Sequence, residues 1–240
     1  MSWLLDRLAA FDVESTGVDV ENDRIVTASV QILGGGLLAE EHAWLVDPGI
    51  DIPEAVTAIH GISTEKARTE GLPAGKAVAL ISALLAEQVA AGRPIVAMNA
   101  RFDFTILDRE LQRHGLASLA GQSGGRPLLV IDPYVLDKQA DPYRKGSRTL
   151  VAMAAHYGVP LTAADAHNAG ADARAAARIV YKLAVKYPQL RDTDLGLLHN
   201  LQIEWAAKQA ASLEGYFRRT DPAAVVEGAW PLIPRQRVTQ

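Results

Sequence analysis

The sequence predicts an α/β fold: a mixed sheet of five strands, three antiparallel and then two parallel, flanked by helices and followed by a C-terminal helical extension. Two observations support this fold class. Residues 8–46 hold three strand-like segments separated by turn residues, the pattern of an antiparallel half-sheet. From residue 94 onward, short apolar runs alternate with segments of helical spacing, which is typical of parallel strands joined by helices.

The first half of the chain carries the antiparallel strands. Apolar, alternating or β-branched residues predict strands over residues 8–11, 24–33 and 37–46, with the glycines at 34–36 as the turn between the last two. Helices are predicted over residues 53–60, from Ser63, and over residues 74–91, and a glycine follows each of them.

The second half carries the parallel strands, predicted over residues 94–98 and 128–131. Helices are predicted over residues 102–114, 149–157 and 171–187. Pro188 marks a boundary, so we expect a main domain over residues 1–188 and an extension over residues 189–240, with a long helix over 195–217. The extension is too short to build its own core and is expected to pack on the domain or on a partner.

Composition limits the classes of function. The chain has 240 residues, 49% of them hydrophobic, and a net charge of −4, so any contact with nucleic acid must be local or bridged by metal. The absence of cysteine excludes disulfides, a thiolate nucleophile and a Cys-ligated zinc site. Neither a signal peptide nor an apolar run of membrane-spanning length is recognisable, and we expect a cytoplasmic protein.

Two acids end the first strand, at Asp12 and Glu14. Residues two apart on a strand project from the same face, so these carboxylates lie side by side before Gly17 breaks the strand. Adjacent carboxylates in a buried setting repel each other unless a cation lies between them, and oxygen ligands suit Mg²⁺ or Mn²⁺. The alternative is a solvated strand end, where such a pair is common.

Two later segments supply possible partners. Asp103 falls in the first turn of the helix after the strand at 94–98, and Asp172 begins another helix five residues after His167. Taken singly, each acid can be a first-turn residue that complements the helix dipole, and His167 a surface histidine. The sequence around His60, His114 and His156 shows no acidic partner pattern, which favours structural or surface roles for them.

Taken in order, these segments resemble the three motifs of the DEDDh exonuclease family, which has the ribonuclease-H-like fold and includes the proofreading epsilon subunit of bacterial DNA polymerase III. The resemblance covers about residues 6–187 and rests on Asp12-Val13-Glu14-Ser15-Thr16-Gly17, Asn99-Ala100-Arg101-Phe102-Asp103 and His167 with Asp172. The turn His60-Gly61-Ile62 also resembles a family feature. Ser15 departs from the more usual Thr or Ala, and residues 189–240 match nothing in the family.

The resemblance implies a role for each residue. Asp12, Glu14 and Asp172 would bind one divalent ion, Mg²⁺ or Mn²⁺, and Asp12 would bridge to a second ion supported by Asp103, as in two-metal catalysis. His167 would be the general base for the attacking water.

The resemblance also implies a set of substrate contacts. Its candidates are Thr16, Val18, His60, Arg101 and Phe102. For Val18 and Phe102, ordinary packing is the alternative. Arg101 and the charged loop with Arg144 and Arg148 are candidates for contacts with phosphate, although charged loops are usually just solvated.

These motifs and the extension are compatible with three functions. The first is a 3′–5′ DNA exonuclease that releases nucleoside 5′-monophosphates from single-stranded ends, in proofreading or repair. The second is an exoribonuclease with the same chemistry. The third is a non-catalytic module whose surface includes Trp205 and Trp230, and in each case residues 189–240 are a candidate contact with a DNA polymerase subunit or a second copy.

Overall fold

A computed structural model describes residues 3–162 and 167–235, and within these residues one six-stranded sheet forms the centre of the molecule. The strands lie in the order β4-β3-β2-β1-β5-β6. β1 to β3 pair antiparallel, and β1, β5 and β6 pair parallel, which confirms the predicted mixed sheet. Their bounds are Leu8–Ser15 (β1), Ile25–Leu33 (β2), Glu40–Asp47 (β3), Leu72–Pro73 (β4), Ile95–Val96 (β5) and Val130–Ile131 (β6).

The predicted count of five strands is one short, because β4 adds a sixth at the edge of the sheet. β4 pairs parallel with the end of β3 over two residues, too few to show an alternating pattern in sequence. β3 also begins three residues later than predicted. Leu37 and Leu38 are exposed instead, since the three preceding glycines all adopt positive φ and prolong the turn.

Helices cover both faces of the sheet. Among the helices described, none combines the length and the apolar character needed to cross a membrane. Their bounds are Glu54–His60 (α1), Thr64–Glu70 (α2), Ala74–Ala90 (α3), Arg101–Arg113 (α4), Leu119–Gln122 (α5), Pro133–Ala140 (α6), Leu150–Tyr157 (α7), Ala169–Lys186 (α8), Pro188–Arg191 (α9) and Leu195–Phe217 (α10).

Alternate residues of β1 face the two helical layers. Phe11 and Val13 pack in one apolar cluster with α3 and α4, and Ala10 packs in a second cluster with α7 and α8. The face of α8 against the sheet is rich in buried alanine, which lets the helix approach closely. Asp12 and Glu14 continue the register of Ala10, so they project toward the layer that contains α8.

The extension completes the outer edge of β6. The side chain of Gln202 in α10 accepts a hydrogen bond from the Asp132 N–H (2.8 Å) and donates one to the Val130 carbonyl (2.9 Å). His199 Nδ1 accepts from the Val130 N–H (3.1 Å). These side chains take the place of a neighbouring strand on an edge that otherwise leaves backbone groups unpaired. The described part of the extension therefore packs on the sheet, and the division at residue 188 stays a prediction.

We expect Gln202→Ala to lower the free energy of unfolding by about 2 kcal/mol, because it leaves the buried Asp132 N–H and Val130 carbonyl without the Gln202 partner. Urea unfolding measures the change. Asn200→Ala, an exposed position on the same helix, is the control and is expected to shift stability little. Equal unfolding midpoints for the two variants would contradict the role given to Gln202.

Candidate active site

Asp12 and Glu14 lie at the end of β1, a strand with neighbours on both sides. β1 has β2 as one neighbour and β5 as the other. The two acids are the only partly buried positions in an otherwise buried strand, and a register shift after Glu14 ends the regular pairing. Both carboxylates therefore lie where the buried strand ends and the core becomes partly accessible to solvent.

Asp103 reaches the same point from α4. It is 3% exposed, and its Oδ1 accepts a hydrogen bond from the Val13 N–H (3.1 Å), between the two acids of β1. The chain enters α4 through Asn99, which has a positive φ of 57°. Asparagine tolerates this left-handed conformation better than most residues, so the turn can bring the first helical turn back toward β1.

His167 and Asp172 approach from α8. Asn168 caps this helix by accepting hydrogen bonds from two N–H groups of the first turn, and the His167 N–H donates to Asp172 Oδ2 (3.0 Å). His167 itself has a positive φ of 66°, a strained conformation of the kind that collects at functional sites. One ligand atom each of Glu14, His167 and Asp172 lies within 4.8 Å of the others.

The pKa values of all four acids in this cluster are raised. Burial raises the pKa of Asp12 well above its usual value, and the charges of Asp103, Asp172 and Glu14 raise it further. Burial and then the charge of Asp172 raise the pKa of Glu14 to about 7. The pKa values of Asp103 and Asp172 are also raised, mainly by burial, although N–H donors to each of them act in the opposite direction. The four carboxylates therefore destabilise one another's charged forms.

The chemistry of the donor set suits a divalent cation. Within the described part of the chain, Asp172 Oδ1 is buried and has no hydrogen-bond donor. A buried acceptor without a donor is costly and calls for another positive group. Carboxylate oxygens are the ligands that Mg²⁺ and Mn²⁺ prefer, so these residues form a candidate metal centre.

The loop after β1 carries two of the candidate substrate contacts. The Thr16 hydroxyl donates to Asp23 Oδ1 (2.7 Å) and its backbone N–H to the Arg24 carbonyl (2.9 Å), so a contact with a sugar would be left to the carbonyl oxygen of Thr16. Val18 is 90% exposed. Packing within the protein therefore does not account for Val18, whereas the side chain of Thr16 holds the loop.

The other three candidates lie on neighbouring elements. His60 Nδ1 accepts from the Ile62 N–H (3.1 Å), and its half-buried ring lies near the backbone of Ser15 and the charge of His167. Burial lowers the pKa of His60. Phe102 packs partly against the core cluster, and Arg101 donates to the carbonyl of Glu227 in the extension. The structure thus brings His60 close to the site and engages Arg101 with the protein itself.

The arginines of the loop at 144–148, which the sequence offered as phosphate contacts, pair with an acid of the protein instead. Arg144 and Arg148 bind the buried carboxylate of Asp137 (3.1 and 2.6 Å) instead of forming a free phosphate-binding surface. Asp132 was not predicted from the sequence, and it accepts the N–H groups of Asn99 and Ala100 (both 3.0 Å). An acid followed by proline at the end of a buried strand is a helix N-cap signal, and this signal could have identified Asp132 from the sequence.

Comparison with known proteins adds a match to the family model described as Exonuclease (RNase_T) over residues 9–180. The chain is 28% identical over 173 residues to a PolC-type DNA polymerase III of Lacticaseibacillus paracasei. It is 32% identical over 184 residues to a DNA polymerase III subunit epsilon-like protein of Rhodobacter capsulatus. The alignments cover 72% and 75% of this chain but 11% and 24% of those relatives, so the chain spans a minor part of their length.

A solved structure shares the fold. Exonuclease I of E. coli in complex with a dT13 oligonucleotide superposes with a TM-score of 0.67 at 19% sequence identity. The match covers 78% of this chain and 42% of that one. A match of this extent supports the mixed sheet and its flanking helices as the framework of the candidate site.

The raised pKa of Glu14 predicts a loss of stability with rising pH in protein kept free of metal with EDTA. The folded protein holds the Glu14 proton up to about pH 7, whereas the unfolded chain releases it near the ordinary glutamate value of 4.5. The contribution of the Glu14 proton to the free energy of unfolding is therefore fully present below pH 4.5 and is lost as the pH rises through about 7. The loss is on the order of 2 kcal/mol for this partly exposed group. Urea unfolding across this range measures the slope, and Glu14→Gln is expected to flatten it. An identical slope in the variant would remove Glu14 as its source.

Proposed function

The chain belongs to the exonuclease family, whose model matches residues 9–180, and from this premise we propose that it is a metal-dependent 3′–5′ exonuclease that acts on single-stranded DNA. The reaction is hydrolysis of the terminal phosphodiester, with release of a nucleoside 5′-monophosphate. Two similar proteins are named for DNA polymerase III, and the structural neighbour was solved with a DNA oligonucleotide, which favours DNA over RNA.

One observation carries the proposal: the described part of the chain gives the four site acids no arginine or lysine partner, whereas the buried acids Asp137 and Glu110 each have one or more. Asp137 pairs with two arginines, and Glu110 with Arg113 (2.8 Å). Within residues 3–162 and 167–235, no arginine or lysine forms an ion pair with Asp12 or with the other three site acids. An anionic substrate approaching four such carboxylates requires cations between them.

We propose that these residues hold two divalent ions, Mg²⁺ or Mn²⁺. Asp12, Glu14 and Asp172 would hold one ion, and Asp103 would support the second beside Asp12. When bound, such ions lower the pKa of a water and neutralise charge on the scissile phosphodiester. The carboxylates contribute by being held in place, because backbone N–H groups of Val13 and His167 fix two of them.

His167 is the proposed general base. Its ring lies among the ligand atoms of Glu14 and Asp172, and the residue is exposed to solvent, so it can take a proton from the attacking water and pass it to bulk water. The ordinary pKa of histidine, about 6.5, suits this role at neutral pH. The hydrogen bond from its backbone to Asp172 ties the base to the carboxylate cluster.

Val18 and Thr16 are the proposed contacts with the terminal nucleotide. Val18 follows β1 in the loop after the site acids, and its exposed apolar side chain suits packing against a base. His60 and Phe102 are proposed to line the same pocket. Arg101 is the weaker proposal for a phosphate contact, since its guanidinium already donates to Glu227.

The surface that could contact a protein partner is smaller than the sequence predicted, because Trp230 is buried. Trp230 is 6% exposed and turned inward, whereas Tyr216 and Phe217 at the end of α10 remain exposed. A polymerase subunit or a second copy would therefore contact this end of the extension. Light scattering on the purified chain measures self-association.

The test of the function is digestion of 5′-labelled oligonucleotides of matched sequence, one DNA and one RNA, with Mg²⁺, Mn²⁺ or EDTA. We expect a ladder shortened from the 3′ end of single-stranded DNA with either metal and none with EDTA. Asp12→Asn is expected to reduce cleavage by at least about a thousandfold, because charge at the reacting centre is lost. Asp51→Asn, at an exposed position, is the control. Cleavage of RNA alone would favour the exoribonuclease, and no cleavage of either polymer would leave the non-catalytic module.

We expect His167→Ala to lower kcat by about a hundredfold or more while changing KM less than about threefold, because the variant loses proton transfer and keeps the carboxylates. Steady-state kinetics on the DNA substrate measure both constants. His156→Ala, an exposed histidine in α7, is the matched control. A kcat equal to that of the control would exclude His167 as the base.

A further inference from the structure

A buried carboxylate at the end of β6 accepts hydrogen bonds from four N–H donors. Asp132 is 1% exposed and caps the N-terminus of α6. Its Oδ1 accepts from the N–H groups of Asn99 (3.0 Å) and Tyr134 (2.9 Å). Its Oδ2 accepts from the Ala100 N–H (3.0 Å) and from the indole Nε1–H of Trp230 (3.1 Å). Three donors belong to the adjoining turns, and the fourth comes from the C-terminal extension.

Asp132 fixes the turn that leads into α4. The helix begins after Ala100, whose methyl side chain cannot cap it. The carboxylate of Asp132 instead holds this turn from outside the helix, including the left-handed Asn99. Asp103 lies in the first turn of α4, so the position of its carboxylate beside the Val13 N–H depends on where this turn is held.

Residues 227–235, here called the strap, run along α4 and are bonded to it on both sides of Asp103. Arg101, two residues before Asp103, donates to the Glu227 carbonyl. The Ile233 N–H donates to Thr105 Oγ1 (3.0 Å), two residues after it. The strap therefore contacts the helix that carries a site acid as well as the carboxylate that holds its entry turn.

Trp230 is the buried residue of the strap that reaches Asp132. It is 6% exposed, and its ring lies 5.2 Å from that of His199, which itself accepts from the backbone of β6. An indole N–H held in this way has one direction in which to donate. Removing it would leave Asp132 Oδ2 with a single donor in a buried site, where an incompletely satisfied carboxylate is costly and free to change its orientation.

We propose that Trp230 is a positioning residue for the exonuclease reaction. By donating to Asp132 it fixes the turn at Asn99 and Ala100, and through that turn the carboxylate of Asp103. Trp230 lies outside residues 9–180, the part that matches the exonuclease family, so the extension forms part of the site's supporting structure. The kinetic consequence rests on the proposed function, whereas the structural consequence does not.

Trp230→Phe keeps a large ring and removes the N–H donor. We expect kcat on single-stranded DNA to fall about ten- to a hundredfold with KM changed less than about threefold, because a misplaced site group affects chemistry more than binding. Trp205→Phe is the matched control: Trp205 is on α10 of the same extension and packs against both apolar clusters. We expect its kcat to stay near the wild-type value. Equal kcat values for the two variants, measured well below their melting temperatures, would overturn the proposal.

A second readout separates positioning from activity. Amide hydrogen exchange at Asn99 and Ala100, followed by NMR in the folded protein, should speed up at least about tenfold in Trp230→Phe and remain unchanged in Trp205→Phe. Unchanged exchange in Trp230→Phe would overturn the proposal. If the wild-type protein cleaves no nucleic acid, the proposed function fails, and the exchange comparison still decides the role of Trp230.

A pair of variants in α4 replaces Trp230→Phe should that variant fail to fold. Thr105→Val removes the acceptor of the Ile233 N–H, and Thr105→Ser keeps it. We expect faster exchange at Asn99 and Ala100 in the valine variant and rescue by the serine variant. The same exchange in both would show that the strap does not hold this turn.

Discussion

Crowding of carboxylates at the end of a strand that is paired on both sides is the constraint on which the rest of this structure depends. β1 lies between β2 and β5, so Asp12 and Glu14 cannot move apart without breaking the sheet. Burial and the neighbouring charges both disfavour their ionised forms. An arrangement this unfavourable persists only where the surrounding fold fixes it from several directions.

The backbone of one segment holds the carboxylate of another: the N–H of Val13 binds Asp103, and the N–H of His167 binds Asp172. Since amides do not titrate and cannot swing away as a side chain can, they set the geometry while leaving the remaining oxygens open to a cation.

The sequence predicted the parts of this site that depend on local spacing. The period of a strand placed Asp12 and Glu14 on one face, two later segments offered Asp103, His167 and Asp172 as partners, and the resemblance to the exonuclease motifs joined the five residues into one site. The mixed sheet followed from strand and helix patterns, but the two-residue β4 is too short to produce a pattern. The roles of the site residues stay predictions until they are measured.

Contacts across long sequence separations had no such signal. Gln202 bonds to Asp132 and Trp230 does so as well, at separations of 70 and 98 residues. Neither spacing nor composition marks a buried glutamine as the partner of a strand edge. Arg144 and Asp137 are close in sequence, yet nothing in the pattern around them indicates that Asp137 is buried and takes up the charge of Arg144.

Two kinds of buried acid can be told apart by their donors. Asp132 has four N–H donors for two oxygens, which fills the acceptor capacity of a carboxylate and leaves no site for a ligand. Asp172 has an oxygen with no donor within the described residues and lies beside other acids. Asp132 therefore supports the structure, and Asp172 is an acid that can bind a ligand such as a cation. The extension supplies a donor only to the first, so it supports the site without occupying it.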